Sequence, residues 1–327
     1  MMQAIVMDTF GQSDVLKLGT WEKPTPRKKQ ILVKVHAAGI NRADTLQRQG
    51  KYPPPKGASP ILGLEVAGTV EEVGEETSQW KKGEKVFGLL PGGGYAEFAV
   101  MHEDMAMPVP DLFSMTDAAG IPEVFLTAYQ ALVWHAQLQG GQYVLIHAGA
   151  SGVGTAAIQL AREMGVRVLV TASASKHIKC LELGAEKAID YKAELFDKVV
   201  LDHTKGRGVD SVIDFIAAPY YRQNISSLAV DGRMVILATM GGGKVSELDL
   251  REIHVKRLTI IGSTLRSRDI NYQIKLTKEF AGFALPLFKS GRLKPVIDRV
   301  FDWREANKAH AYMEENKNIG KIILKMR

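Results

Sequence analysis

Hydrophobic and polar positions follow two different patterns along the chain, and the change falls near residue 122. Before that point, short apolar runs separated by turn residues predict β-strands, for example at 31–35 and 66–70. Three glycines at 92–94 and the prolines within 51–57 interrupt these runs, because glycine permits positive φ and successive prolines resist helix and central strand. The first part of the chain is therefore predicted to be a strand-rich, antiparallel body with two loops.

Beyond residue 122, short apolar runs alternate with helix-length stretches, which is typical of βαβ units around a parallel sheet. The predicted strands are 143–147, 166–171, 188–191, 211–215, 234–238 and 258–262. Between the first two, apolar residues at helical spacing predict a helix over 153–164 that ends at Gly165. Six such strands fit a complete dinucleotide-binding fold.

After residue 265 the amphipathic helical pattern returns, and a short apolar run at 321–324 predicts a terminal strand. The chain is therefore predicted to belong to the α/β class. A doubly wound parallel sheet is expected in a dinucleotide-binding domain over 122–265. The segments 1–121 and 266–327 are expected to form one strand-rich domain together.

Composition narrows the class of protein. Hydrophobic residues make up 46% and charged residues 24%, as in ordinary globular proteins. The net charge of +6 is scattered rather than clustered, so nucleic-acid binding is not expected. Cys180 is the single cysteine, which excludes an intramolecular disulfide and favours a reducing compartment. No apolar run approaches the ~20 residues that span a bilayer, and we expect a cytoplasmic protein with no membrane association.

A glycine-rich turn lies between the first predicted parallel strand and its helix. Such a turn lets backbone N–H groups and the positive end of the helix approach a pyrophosphate. Ser151, Gly152, Val153 and Gly154 are the predicted phosphate contacts, although Ser151 stands where the dinucleotide fingerprint has its middle glycine. The alternative is a tight strand-to-helix turn without a ligand.

The end of the second parallel strand favours one nicotinamide cofactor over the other. An NAD site places Asp or Glu there to bind the ribose 2′-OH, but this chain has no carboxylate at that point. Ser173 and Lys176 instead supply a hydroxyl and a cation that suit a 2′-phosphate, so NADPH is predicted rather than NADH. The alternative for Lys176 is an ordinary solvated lysine in the first turn of a helix.

Several longer motifs resemble one known superfamily over essentially the whole chain. They are the segments 35–44, 63–68, 147–154 and 318–322. In these the chain resembles the medium-chain dehydrogenase/reductase superfamily, and within it the zinc-free quinone oxidoreductases related to zeta-crystallin. The shorter segments 47–50, 240–243 and 265–269 resemble the tumour-suppressor-inducible quinone oxidoreductases in particular. The resemblance implies a Rossmann cofactor domain, a GroES-like substrate domain and a homodimer that pairs the strand at 258–262 across a two-fold axis.

The resemblance also implies chemistry without a metal. Zinc-dependent members place a Cys ligand where Asn41 stands and a His ligand where Leu64 stands, and Leu cannot bind zinc. Glu65 is then expected to satisfy a buried polar network. Hydride transfer from a nicotinamide must therefore go to an acceptor that needs no Lewis acid, and a quinone qualifies because it becomes aromatic on reduction.

The site residues follow from the same resemblance. Asn41 is implied to lie near the nicotinamide and Tyr52 to contact the quinone; the alternatives are a turn-capping Asn41 and a Tyr52 that packs on the loop prolines. Arg266 and Arg268 are candidates for phosphate or substrate contact, or exposed loop arginines. The further cofactor contacts that the resemblance implies are Thr127, Tyr191, Leu237 and Leu265.

The function predicted from the sequence is metal-free reduction of quinones with NADPH. One alternative is an NADPH-dependent reductase of α,β-unsaturated carbonyls, because the same hydride geometry reduces an activated alkene. A second alternative is a non-catalytic, NADPH-binding protein with a structural or RNA-binding role.

Overall fold

The computed structural model describes residues 1–326. Its strands are β1 Met2–Val6, β2 Lys17–Trp21, β3 Gln30–Ile40, β4 Glu65–Val73, β5 Lys85–Leu89, β6 Phe98–His102, β7 Ala106–Pro108, β8 Tyr143–Ile146, β9 Arg167–Ala172, β10 Lys187–Asp190, β11 Val209–Asp214, β12 Leu228–Ile236, β13 Thr259–Gly262, β14 Ile297–Asp302 and β15 Lys321–Lys325. Its α-helices are α1 Arg42–Arg48, α2 Met115–Ala118, α3 Pro122–Tyr129, α4 Gly152–Glu163, α5 His177–Leu183, α6 Phe196–His203, α7 Tyr221–Ser227, α8 Leu250–Lys256, α9 Ile270–Lys289 and α10 Ala306–Glu314.

The chain divides into two compact units. One contains Met1–Leu126 together with the chain from Arg266 onward, and the other contains Thr127–Leu265. The first division falls inside α3. One unit is thus made from both ends of the chain, and the other from one continuous segment.

The strand-rich unit is built on a seven-stranded sheet with the path β14-β15-β3-β4-β5-β7, and β6 pairs with β3. All of these pairs are antiparallel except β14 with β15. The predicted segments 31–35 and 66–70 lie in β3 and β4, and the segments 51–57 and 92–94 lie outside the strands. The antiparallel body predicted from the first pattern is therefore confirmed.

The second unit carries a parallel sheet with the order β10-β9-β8-β11-β12-β13. Numbered within this sheet, the order is 3-2-1-4-5-6, which is that of a doubly wound dinucleotide-binding fold. Each of the six predicted segments overlaps one of its strands, so the α/β class and the doubly wound sheet are confirmed. β12 begins at Leu228, well before the predicted segment 234–238. The prediction missed the first half of this strand because Asp231, with φ 64°, and Gly232 interrupt its apolar pattern.

The core beside the parallel sheet explains why these segments form strands. Its fully buried apolar side chains come from successive strands and the helices that cover them: Leu145, Leu169, Ile189, Val200, Val212, Ile225 and Met234. Helix α4 begins where the Ser151 side chain caps the first turn, and the chain leaves it at Gly165 with φ 71°. The predicted helix over 153–164 is confirmed. The packing fixes β8 and α4 on either side of the glycine-rich turn.

Within residues 1–326, none of the helices combines the length and apolar character needed to cross a membrane.

Candidate functional site

The glycine-rich turn after β8 is tightly closed. The Ser151 hydroxyl accepts a hydrogen bond from the Gly154 N–H at 3.0 Å and so caps α4. A Cβ on Gly154 would lie 2.4 Å from the carbonyl oxygen of Ala148, and a Cβ on Gly149 would lie 2.6 Å from the Cβ of Val170. Only glycine fits at these two positions. The turn therefore has the close strand-to-helix packing that a pyrophosphate-binding loop requires.

Most of the predicted cofactor contacts gather at the carboxyl edge of the parallel sheet. Ser151–Gly154 follow β8, and the other residues follow β9, β10, β12 and β13; they are Ser173, Lys176, Tyr191, Leu237 and Leu265. Thr127 does not follow a strand of this sheet but lies in α3. The direction of strand succession reverses between β8 and β11. Ligands of doubly wound sheets bind outside the carboxyl ends at such a reversal, so this edge fits a dinucleotide.

A buried polar network supports this edge from inside the unit. His147 is hydrogen-bonded to Thr171 at 2.9 Å and to Asn224 at 2.6 Å, and the Asn224 amide donates to Asp214 at 3.0 Å. The Asp214 carboxylate accepts the N–H groups after β11, including that of Ala217, whose φ is 67°. Burial lowers the pKa of His147, so the ring is neutral at physiological pH. The sequence analysis missed this network, although three of its residues are polar side chains at the ends of apolar strands.

Aromatic side chains lie next to the same edge. The rings of Tyr191 and Tyr220 are 6.4 Å apart, and Tyr220 packs on His147 at 4.8 Å. Burial raises the pKa of Tyr220 to about 12. Tyr191 is 40% exposed. Its free surface gives this edge an aromatic wall for a flat ring.

In the strand-rich unit, Asn41 lies where β3 ends and α1 begins. Its side-chain Nδ2 donates to Glu65 Oε1 at 2.8 Å, and its Oδ1 accepts from the Lys321 ammonium at 2.6 Å. Its backbone N–H donates to the Asp44 carboxylate at 2.8 Å, which closes the first turn of the helix. Asn41 is 8% exposed, and its amide is held in one orientation.

Glu65 and Lys321 form a buried ion pair beside Asn41, with Nζ to Oε1 at 2.6 Å. The Lys321 ammonium also donates to the carbonyl oxygen of Ile40 at 2.7 Å, and Glu65 Oε2 accepts the backbone N–H of Glu123 at 2.8 Å. The expected buried polar network around Glu65 is therefore present. Lys321 was not predicted as a site residue, although it belongs to the tail segment 318–322 that carried part of the resemblance.

The two positions that hold zinc ligands in zinc-dependent relatives have other roles in this fold. Leu64 is 1% exposed and packs in the core. Asn41 is already engaged by Glu65 and Lys321. A Cβ at Gly39 would lie 2.2 Å from Glu65 Oε1, so the neighbouring glycine makes room for the carboxylate. Within residues 1–326, no cluster of three or more His, Cys, Asp or Glu side chains has the arrangement of a metal site.

A second buried chain of hydrogen bonds starts at Asp44. The Tyr95 hydroxyl donates to Asp44 at 3.3 Å and is joined to His310 at 3.1 Å, and His310 meets the Arg48 guanidinium at 3.4 Å. Burial raises the pKa of Asp44 to about 6, and burial beside Arg48 lowers the pKa of His310 to about 3. The His310 ring is therefore uncharged, and it joins Tyr95 to Arg48 through hydrogen bonds. The chain continues to Glu314, which accepts from Arg48 at 2.5 Å.

Tyr52 and Arg266 lie against each other in the same unit. The Arg266 guanidinium lies 5.4 Å from the centre of the Tyr52 ring, within cation–π range. Its Nε and Nη2 donate to the carbonyl oxygen of Pro91 at 2.9 and 2.7 Å. Arg266 is only 7% exposed, and its Nη1 has no hydrogen-bond partner within residues 1–326. Arg268 is exposed and lies over the ring of Tyr272, 4.7 Å from its centre.

Glu123 lies in the first turn of α3, and its backbone N–H donates to Glu65. The surroundings of its carboxyl raise its pKa to about 8, first through burial and then through the negative charge of Glu65. The pKa of Tyr52 is also raised, mainly by burial and then by the negative charge of Glu123. The carboxyl has no hydrogen bond or ion pair with any other side chain in the part of the chain that the structure describes. Sequence reasoning passed over it because a glutamate after Pro122 is an ordinary helix start.

Both units match known protein families. Residues 27–111 match the alcohol dehydrogenase GroES-like domain, which confirms the GroES-like fold expected for the strand-rich unit. Residues 152–281 match the family described as zinc-binding dehydrogenase. That description belongs to the family and does not supply this chain with ligands.

Relatives that align with nearly the whole chain narrow the family assignment further. The quinone oxidoreductase of Mus musculus is 34% identical over 334 residues, which cover 99% of this chain and 98% of the relative. The crystal structure of CurK enoyl reductase superposes with a TM-score of 0.88 at 29% identity and covers 100% of this chain and 99% of that one. A mycobacterial protein solved in complex with NADPH superposes with a TM-score of 0.87 at 28% identity, over 99% of this chain and 100% of its own. The chain belongs to the quinone oxidoreductase branch of the medium-chain dehydrogenase/reductase superfamily.

Proposed function

We propose that this protein reduces quinones with NADPH and uses no metal ion. The observation that carries the proposal is the buried Nη1 of Arg266, which lacks a partner within residues 1–326 and lies beside the ring of Tyr52. A buried, unpaired guanidinium N–H is costly unless something accepts from it. A carbonyl oxygen that gains negative charge during reduction is such an acceptor.

The parallel-sheet unit supports the cofactor part of the proposal. Glycine is required at 149 and 154, and the positive end of α4 follows directly, so the turn fits a pyrophosphate. Ser173 and Lys176 lie just beyond β9, where the 2′-phosphate of NADPH binds in this fold. Tyr191 offers the aromatic surface for the adenine end. When bound, the nicotinamide supplies a hydride.

The strand-rich unit would then bind and orient the acceptor. Tyr52 and Arg266 donate hydrogen bonds to the quinone oxygen, and the aromatic ring of Tyr52 covers the flat substrate. Asn41 has one N–H on Nδ2 engaged by Glu65, and its other N–H, which has no partner among residues 1–326, would orient the nicotinamide. The ion pair of Glu65 with Lys321 keeps the Asn41 amide in that orientation.

Independence from zinc rests on the side chains at the two ligand positions of zinc-dependent relatives. Leu64 has no donor atom, and the Asn41 amide is committed to its two neighbours. We further propose that the chain lies near the tumour-suppressor-inducible subgroup. The segments 47–50 and 265–269, which carry that resemblance, contain Arg48 and Arg266, and both arginines are buried in this fold.

A second candidate function is the reduction of α,β-unsaturated carbonyls, which the likeness to CurK enoyl reductase favours. The two reactions differ in where the hydride arrives, at a quinone or at the β-carbon of an enone. Both substrates present an oxygen to Arg266, so the substrate must be decided by turnover.

The test is a steady-state panel of benzoquinones, ortho-quinones and enones, each with NADPH and NADH, before and after EDTA. We expect quinone turnover with NADPH that EDTA leaves intact, in protein without stoichiometric zinc. Arg266→Met should lower kcat/KM for quinones by about 10-fold or more, since a hydrogen bond to a charged group contributes about 1.5–3 kcal/mol. Its NADPH affinity should not change.

Arg268→Met is the matched control, because Arg268 is exposed and lies over Tyr272. It should behave as wild type. If the protein reduces enones but no quinones, the second candidate function replaces quinone reduction. Activity that EDTA abolishes and zinc restores would contradict the metal-free mechanism.

A further inference from the structure

A cavity of about 320 Å³ lies within the parallel-sheet unit. Its walls come from the first turn of α6, from α7 and from the segment that leads into α8. None of the residues assigned above to the cofactor or the quinone lines it. Ligand pockets of proteins have volumes from about 300 to 1,000 Å³, so a small molecule fits this cavity.

Negative charge dominates the lining of the cavity, which has four carboxylates and one guanidinium. The guanidinium of Arg222 is paired with the Glu247 carboxylate, and both side chains are exposed. The other three carboxylates, those of Asp197, Asp249 and Glu252, form no ion pair within residues 1–326. The whole chain has a net charge of +6, so this local excess of negative charge opposes the overall balance and favours a cation as ligand.

A lysine on the same helix as Glu252 is committed elsewhere. Lys256 follows Glu252 by one turn of α8, but its ammonium donates to the carbonyl oxygens of Ile225 and Ser226 at 2.8 and 3.0 Å. It thereby binds the last carbonyl groups of α7 and leaves Glu252 without an ion pair.

Two side chains of the cavity wall are almost fully buried and carry a polar atom without a partner. Asp197 and Tyr221 are each 8% exposed, and neither Asp197 Oδ1 nor the Tyr221 hydroxyl has a hydrogen bond in the part of the chain that the structure describes. Gln223 Oε1 is a third buried, unpaired atom of this wall. The start of α6 favours the charge of Asp197 but gives its Oδ1 no donor. Buried polar atoms without hydrogen bonds cost free energy, and a buried carboxylate costs more, so these atoms require a donor from outside the chain.

The chemistry of the unpaired atoms identifies the class of ligand. Carboxylate and amide oxygens only accept hydrogen bonds, and a phenol oxygen can accept one as well. An ammonium group supplies three donors, a positive charge and no acceptor. A metal ion fits less well, because among residues 1–326 no three His, Cys, Asp or Glu side chains are arranged to hold one. Three carboxylates without a cation exceed the charge of one ammonium group, which favours a ligand with two.

We propose that this cavity binds a small aliphatic diamine through its ammonium groups. Asp197, Tyr221 and Gln223 accept hydrogen bonds from the ligand in the buried part of the cavity. Asp249 and Glu252, which are exposed, supply negative charge at its opening. The proposal does not depend on quinone reduction, because it uses none of the residues assigned to that reaction.

Calorimetric titration of the full chain with putrescine tests the site directly. We expect one putrescine to bind per chain, with an affinity that falls as NaCl is added, because salt screens the carboxylates. Butylamine has the same carbon chain and one ammonium group, and it should bind about tenfold or more weakly than putrescine. Butanediol has no charge and should not bind.

Variants of the lining locate the binding. Asp197→Asn and Glu252→Gln each remove one carboxylate and keep the shape of the side chain, and each should weaken putrescine binding about tenfold or more. Circular dichroism should show both variants folded, because neither carboxylate loses an ion pair; if Asp197→Asn fails to fold, Glu252→Gln decides. Asp202→Asn is the matched control, since Asp202 is exposed on the same helix as Asp197 and does not line the cavity. It should bind putrescine as wild type does.

Three results would overturn the diamine site. The first is the absence of any binding of putrescine up to about 10 mM. The second is an equal affinity of wild type, Asp197→Asn and Glu252→Gln, since putrescine would then bind elsewhere on the surface. The third is binding of Mg²⁺ that requires Asp197 and Glu252, without binding of putrescine, which would make the cavity a metal site. Each of these results leaves the proposed quinone reduction standing, since turnover measures it separately.

Discussion

At the scale of single residues, the arrangement of the strand-rich site depends on one buried cation. Lys321 is 3% exposed and bonds to Glu65, Asn41 and the carbonyl oxygen of Ile40. A buried charge is tolerated only when it is paired and hydrogen-bonded, and here each of its three contacts is a close acceptor. Loss of the lysine would leave the Glu65 carboxylate buried without a cation.

Replacement of this lysine should therefore destabilise the protein. We expect Lys321→Met, which keeps the length of the side chain, to lower the free energy of unfolding by about 3–5 kcal/mol, the usual cost of breaking a buried ion pair. Urea unfolding followed by circular dichroism measures the change. The control is Lys325→Met at the exposed end of the same strand, which should stay within about 0.5 kcal/mol of wild type. Equal unfolding midpoints for the two variants would contradict the role of Lys321.

Cofactor preference is tested at Lys176. A charge-assisted contact to the 2′-phosphate contributes on the order of 1.5–3 kcal/mol, so Lys176→Ala should weaken NADPH binding about tenfold or more and hardly change NADH binding. Calorimetric titration with each cofactor measures both. Lys179→Ala is the control, since Lys179 pairs with Glu182 on α5. An equal loss of affinity for the two cofactors would show that Lys176 does not recognise the phosphate.

Single residues also mark where sequence reasoning reached its limit. The glycine turn and the polar residues after β9 are local patterns, so their place at the sheet edge followed from the fold class. Lys321 and Glu65 are 256 positions apart, and the unmatched Nη1 of Arg266 depends on a contact with Pro91. Pairings over such separations leave no periodic signal in one sequence. That is why Glu123 and Lys321 emerged only with the structure.

At the scale of elements, the edge strand β13 has an apolar, open side. It pairs only with β12 in the sheet path, and Ile260 is 39% exposed. Helix α8 before it exposes Leu250 at 63% and Val255 at 62%. An apolar sheet edge is a template for pairing, and a two-fold dimer is the commonest way to cover one. We propose that this protein is a homodimer joined through β13.

A substitution on this strand tests the homodimer. Ile260→Pro removes a ladder donor and obstructs a paired strand, and Ile260→Lys places a charge on the edge and keeps the backbone donor. We expect both to shift the protein toward monomer in sedimentation velocity, with the lysine variant still folded. Ile178→Lys, at another exposed apolar position, should leave the assembly unchanged. A wild-type protein that sediments as a monomer at micromolar concentration would refute the dimer.

The strands and helices with a regular spacing of apolar residues were the predictable part of the fold. The six parallel strands and α4 follow apolar runs bounded by turn residues, and the structure has each of them within a few residues. β12 is longer than predicted because its first half contains Asp231 and Gly232. Short helices such as α1 were not predicted, since Asn41 and Asp44 define its start through hydrogen bonds rather than through apolar spacing.

At the scale of the whole molecule, the two units differ in how the chain builds them. The parallel-sheet unit is the single segment Thr127–Leu265. The strand-rich unit takes its central strands β3 and β4 from the first part of the chain and β14 and β15 from the last. β15 lies between β14 and β3, so it is an interior strand of the sheet.

This connectivity has a consequence for biosynthesis. A ribosome makes β3 and β4 early, but β3 has an open edge, and Glu65 has no cation, until Lys321 and the rest of β15 have left the exit tunnel. At about 5–20 residues per second, the 256 positions from Glu65 to Lys321 take about 10–50 seconds, and the continuous unit can complete its sheet within that time. The unit whose synthesis begins first is thus the one whose sheet can be completed last. An unfinished chain would present a bare strand edge and an unpaired carboxylate, features by which quality control can distinguish it from the finished enzyme.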